Sequence, residues 1–109
     1  MSLSLTQIIA PSAVPTSVSP LFTASHLTRV DKMTVTNPTG GALNVTIYMV
    51  SAGVTLSNTS IVTPTTSVGA SAALNVKEMI GQVLQSGDSI QVIGSGAGLT
   101  TMASGVVQT

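Results

Sequence analysis

Leu43-Asn44-Val45-Thr46-Ile47-Tyr48-Met49-Val50 alternates apolar and polar side chains almost without interruption. Successive side chains of a strand point to opposite faces, so Leu43, Val45, Ile47 and Met49 form one face and Asn44, Thr46 and Tyr48 the other. The stretch predicts a half-buried β-strand. Upstream, Asn37-Pro38-Thr39-Gly40-Gly41 gathers turn-forming residues, and it ends a second run within 27–37 whose alternation is clearest at Met33-Thr34-Val35-Thr36. Downstream, Ser51-Ala52-Gly53 turns the chain, residues 56–63 read as a weaker strand that Pro64 ends, and residues 72–76 read as another. Residues 77–84 are the one stretch with helix-like spacing, which predicts one or two turns with Met79, Ile80, Val83 and Leu84 on a shared face.

Ser86-Gly87-Asp88 predicts a tight turn, with Gly87 at positive φ and Asp88 bonding the local backbone. It leads into a strand over 89–93, and Gly94-Ser95-Gly96-Ala97-Gly98 connects that strand to a last one over 99–107, a pair that reads as a terminal hairpin. Short strands separated by turn signals every eight to twelve residues or so are the pattern of an all-β antiparallel sandwich, jelly-roll-like in character. At 109 residues the chain has room for one domain. Its predicted core is Val35, Leu43, Val45, Ile47, Met49, Ile90 and Val92.

Residues 1–20 read differently from the sandwich domain of 21–109. Leu3, Leu5, Ile8 and Ile9 precede Pro11, Pro15 and Pro20, whose rings hold the backbone extended and interrupt regular structure. The segment is expected to be an extended N-terminal arm, laid on a partner or on its own domain. Leu3, Leu5, Ile8 and Ile9 are its candidate partner-binding residues.

Only six of the 109 residues are charged, three basic and three acidic, although 43% are hydrophobic. That hydrophobic share supports a buried core, and a soluble domain would ordinarily place about 25% of its residues in Asp, Glu, Lys and Arg. A neutral Ser/Thr-rich surface points instead to packing against protein and to a homo-oligomer or larger assembly. With no cysteine, disulfides and thiolate chemistry are excluded. Residues 1–10 lack the pattern of a secretory signal, and no apolar run approaches the length of a membrane helix.

Chemistry finds little to work with. His26 is the single histidine, and Asp31, Glu78 and Asp88 are scattered, which leaves no local metal site and no triad specified by spacing. The glycine-rich stretch 94–98 lies between strands and is followed by neither a helix nor a lysine, so it does not read as a phosphate loop. Arg29, Lys32 and Lys77 make no basic stripe, and one Tyr and one Phe make no stacking platform for nucleic acid. The sequons at Asn44 and Asn58 read as ordinary strand residues. The expectation is no enzyme, no cofactor, no metal, no nucleic acid and no membrane.

The run from Val35 to Val50, followed by Met79-Ile80-Gly81-Gln82-Val83-Leu84-Gln85-Ser86-Gly87-Asp88-Ser89-Ile90-Gln91-Val92, resembles small structural proteins of tailed bacteriophages, over about residues 30–107. Those proteins share the strand ending in Asn, the Thr- and Val-rich strand, the segment Met79–Leu84 and the Gly-Asp turn. The resemblance implies a β-sandwich virion component, most like the head decoration or cement proteins, with the major capsid protein and neighbouring copies of itself as partners. It implies synthesis in the host bacterial cytoplasm and residence on the capsid surface of the virion. A tail-fibre or other tail-associated, host-binding module is the alternative, against which the scarcity of aromatic side chains weighs.

Overall fold

The computed structural model describes residues 2–108. Nine strands run along the chain: β1 (Leu3–Ala13), β2 (Ser19–Thr23), β3 (Thr28–Asn37), β4 (Leu43–Val50), β5 (Ile61–Val68), β6 (Ala72–Asn75), β7 (Val83–Leu84), β8 (Ser89–Gly94) and β9 (Thr100–Gln108). Single 3₁₀ turns, Asn58–Ser60 and Lys77–Met79, are the only helical elements among the described residues. The strands form two antiparallel sheets. The first has the order β1-β9-β3-β6, with β7 also paired to β3, and the second has the order β2-β8-β4-β5. Apart from β4–β5 and β6–β7, every connection carries the chain from one sheet to the other. This is the strand order of a jelly roll, and the domain is an all-β sandwich.

The core lies between the sheets. Val45 and Ile47 of β4 face Val30, Met33 and Val35 of β3, together with Ile90, Val92, Met79, Leu84 and Leu99, all fully buried. Of the residues expected inside, Val35, Val45, Ile47, Ile90 and Val92 are fully buried, and Leu43 and Met49 pack against the cluster from its margin. The alternation in 43–50 therefore identified the strand and the centre of its inner face, although Thr46 and Val50, outside the expected set, are buried as well.

Strand continuity through proline follows from position. Pro11 lies on β1, Pro20 on β2 and Pro64 on β5, and each of these is the outermost strand at an end of its sheet. A proline lacks the N–H that a second neighbour would need, and an edge strand has no second neighbour. For that reason β5 runs on to Val68 where the sequence reading stopped it at Pro64.

Gly105 of β9 organises the first sheet. It stands opposite Thr6 of β1 and Val30 of β3, and beyond it the register of each neighbour shifts, between Thr6 and Ile9 and between Val30 and Lys32. A Cβ at Gly105 would collide with the Arg29 carbonyl oxygen and the Ile8 Cδ1 atom. A glycine within a strand commonly marks such close approach of another backbone.

Besides the strand read over 56–63, which begins only at Ile61 after the 3₁₀ turn Asn58–Ser60, three sequence expectations need correction. The last two strands are not a hairpin, because β8 belongs to the second sheet and β9 to the first. Leu99, fully buried, draws the connecting segment across the end of the core. Met79, Ile80, Val83 and Leu84 do not share a helical face. Met79 and Leu84 are buried while Ile80 and Val83 are exposed, because a 3₁₀ turn gives way to a short strand within the segment.

The third concerns the N-terminal segment. Residues 3–13 are the edge strand β1, paired along β9, and β2 straddles the expected boundary at residue 20. Ile8 and Ile9 are 7% and 3% exposed within the core. The register shifts on either side of Ile9 break the two-residue period, which allows consecutive side chains to point inward. Residues 2–10 thus include part of the core and cannot be removed as an appendage.

Candidate interaction surface

Two turns at opposite ends fix the loops. At one end Asn37, fully buried, donates from Nδ2 to the Gly41 carbonyl at 2.8 Å and the Val68 carbonyl at 2.9 Å. Its Oδ1 accepts from the Thr39 N–H at 3.0 Å and the Thr39 hydroxyl at 2.6 Å. Asn37 thereby satisfies backbone groups of a turn closed by Gly40 and Gly41 and ties it to the end of β5. Gly98, at φ +123°, lies against Thr39, and the Ser95 N–H donates to the Asn44 carbonyl at 2.9 Å. The two glycine-rich loops, 38–42 and 94–98, are therefore neighbours. With residues 14–18 and 69–71 they form an end of the sandwich built entirely from Gly, Ala, Ser, Thr, Pro, Val and nearby Leu side chains.

At the other end Asp88 accepts from the Ala52 N–H through Oδ1 and from the Gln85 N–H through Oδ2, both at 3.0 Å. Gly87 has φ +95°, its N–H donates to the Ala24 carbonyl at 2.7 Å, and a Cβ there would strike the Ala52 side chain. The turn joins three loops, and its carboxylate serves backbone amides.

The remaining ionisable groups occupy separate places. His26 lies exposed in the β2–β3 loop, where its Nδ1 contacts the Ser25 hydroxyl at 3.1 Å. Arg29 and Asp31 form an exposed ion pair of 2.9 Å on the outer side of β3. Glu78 accepts from the Thr63 hydroxyl at 3.0 Å. Among the described residues no three His, Cys, Asp or Glu side chains cluster as metal ligands, and no helix is long and apolar enough to cross a membrane.

The outer face of the second sheet has a different chemistry. Pro20, Gln91, Tyr48 and Ile61 stand opposite one another across β2, β8, β4 and β5. The next row pairs Ile93 with Thr46, whose hydroxyl bonds that of Thr65 at 2.8 Å. None of the four strands contains a charged residue. No periodicity signal could have found this surface, because it depends on which distant strands share a sheet.

Of the four candidate partner-binding residues, Leu3 and Leu5 are 68% and 88% exposed, whereas Ile8 and Ile9 belong to the core. Leu5 stands in line with Val106, Arg29 and Val83 across β1, β9, β3 and β7. Beside that row a shallow groove of about 150 Å³ is lined by Leu3, Leu27, Val83 and Val106.

No family model matches the chain, and no curated protein does. A solved structure described as "Bacillus endospore appendages form a novel family of disulfide-linked pili" is similar in fold, with a TM-score of 0.57 and 13% identity over 99% of this chain and 88% of that one. At that identity the likeness concerns architecture, and the all-β sandwich is what the two chains share.

Proposed function

We propose that the chain is a non-catalytic structural protein of a bacteriophage particle: a decoration or cement protein on the outer capsid surface, in contact with the major capsid protein and neighbouring copies. The observation that carries this reading is the uncharged second sheet, continuous with an uncharged loop end. Charges keep protein surfaces hydrated and apart, and a folded domain with a whole sheet face free of them is suited to lie against other protein. The resemblance of residues 30–107 to phage structural proteins supplies the particle. The appendage protein supplies fold alone, and the disulfide linkage in its description has no counterpart in a chain without cysteine.

A protein that binds only the assembled shell stabilises it by mass action, and contacts to several subunits make modest individual affinities sufficient. Imaging of particles with and without the protein tests the proposal, together with co-sedimentation of Gln91→Lys and Thr65→Lys variants. The expected result is added density on the shell, greater resistance of the shell to heat, and fewer bound copies of either lysine variant. Density at the tail would favour the alternative module, and unchanged binding by both variants would remove the uncharged sheet from the contact.

A further inference from the structure

We infer that two copies of this chain join edge to edge through residues 2–6, at the start of their β1 strands, about a two-fold axis at Ser4. Residues 2–7 are all exposed, so this half of β1 is held by β9 along one edge and covered on neither face. The direction of its free backbone groups follows from the ladder. The Gln108 N–H donates to the Leu27 carbonyl, which turns residue 108 toward β3. Successive residues of an antiparallel strand address opposite neighbours, so Val107 turns toward β1 and bonds Ser4, its partner in register. The N–H and C=O groups of Leu3 and Leu5 are consequently the ones directed at the open edge. No register shift interrupts the pairing from Leu3–Gln108 to Thr6–Gly105.

The occupant is specified by the sequence of the edge itself. Ser2-Leu3-Ser4-Leu5-Thr6 reads nearly the same in both directions. Antiparallel pairing of two identical strands about an axis at Ser4 places Leu3 opposite Leu5 of the second copy, and Leu5 opposite its Leu3. Each of those pairs exchanges both backbone hydrogen bonds, since the groups that pair are those left open. Ser2 then meets Thr6 of the second copy, a favourable cross-strand hydroxyl pair, and Ser4 meets its own equivalent. All four leucines fall on the face that presents Val106, Arg29 and Val83, so the apolar end of that row, Leu5 and Val106, continues across the axis. The interface is isologous and closes at two copies. The stretch carries neither proline nor charge, the usual guards of an exposed edge, and the proline of β1 lies beyond it at Pro11. The proposal does not depend on shell binding, because the contact is between isolated copies.

The absence of native cysteine makes a single introduced thiol a register gauge. A non-bonded antiparallel pair has Cα atoms about 4.5 Å apart, within the span of a disulfide. Under mild oxidation of the purified full chain, Ser4→Cys should give covalent dimer at least about tenfold faster than Ser2→Cys or Thr6→Cys alone, and a mixture of Ser2→Cys and Thr6→Cys should recover it. Sedimentation of cysteine-free protein should show concentration-dependent dimer, weakened at least about tenfold by Leu5→Lys, whose side chain is too exposed to affect the fold. Crosslinking of Ser4→Cys no faster than a Ser12→Cys control, equal crosslinking at all positions, or association untouched by Leu5→Lys would each overturn the proposal.

Discussion

The sheet β1-β9-β3-β6 carries Arg29, Asp31 and Lys32 on β3, whereas β2, β8, β4 and β5 carry no charged residue at all. The two sheets share one core, so burial of their inner faces cannot account for the difference. It lies on the outer faces, where folding makes no demand for neutrality. Both sheets shift register, at different places: in the first β1 and β3 shift beside Gly105, whereas in the second the shifts fall along its edge strands β2 and β5, and the inner pair β4 and β8 runs without a shift from Val45–Gly94 to Val50–Ser89. One sheet is fitted around a glycine and keeps its charges toward water; the other presents an uncharged face.

The sharpest way to break that contrast is Gly105→Ala. A methyl group there meets the Arg29 carbonyl, a backbone atom that moves only if β3 moves, as well as Ile8. The expected loss is about 3 kcal/mol or more, at the upper end of overpacking costs. Denaturant unfolding should show the midpoint falling accordingly, and a near-neutral result would mean that the three strands are not drawn together as described. In the second sheet, Ile47→Ala should cost about 2–5 kcal/mol because the side chain is fully buried. Tyr48→Ala, one residue along and on the outer face, should cost under about 1 kcal/mol. Equal losses for the pair would contradict the register of β4.

What the sequence disclosed and what it concealed divide along the same line. Where apolar and polar residues alternate in the sequence itself, as over 43–50, alternation assigned the strand's span and the inward-facing Val45 and Ile47. Where bulges break the period, as around Ile9, alternation had no way to show two consecutive isoleucines turning inward, and the three prolines read as interruptions rather than as marks of edge strands. Gly87 and Asp88 were legible because a turn is local chemistry. The two strands that flank 94–98 were assigned correctly, but their sheets were not, since Leu99 acts through the packed core. The uncharged face was legible only as low charge overall. Its gathering onto one sheet is a property of topology, and Leu3 and Leu5 stay available where Ile8 and Ile9 do not because only the former lie beyond the covered part of β1.

Asn37→Ala tests whether the uncharged loop end depends on one buried amide. The change removes the partner of the Thr39 N–H and the amide donor to the Val68 carbonyl, while the Gly41 carbonyl keeps its bond from the Thr39 hydroxyl, and an unsatisfied buried group costs about 1–3 kcal/mol. Thermal unfolding should register that loss, and limited proteolysis should show earlier cleavage within 38–42. A variant as stable as the parent would show that water replaces the amide without penalty.

A smaller effect than that of Asn37→Ala is expected at the opposite end, from Asp88→Asn. The carboxylate offers one oxygen to the Ala52 amide and the other to the Gln85 amide. Asparagine keeps one acceptor and replaces the other with an NH₂ group that faces an N–H, so one bond is lost and the remaining one no longer involves a charge. At an exposed turn this should amount to about 1 kcal/mol, because water can serve the freed amide. The carboxylate is also one of only three in the chain, but its place in the turn, away from the outer face of the second sheet, gives it no part in the proposed shell contact. Binding of the Asn variant to capsids should therefore match the parent once both are fully folded. Loss of capsid binding by a folded Asp88→Asn protein would move the contact from the uncharged face to the loops that this turn joins.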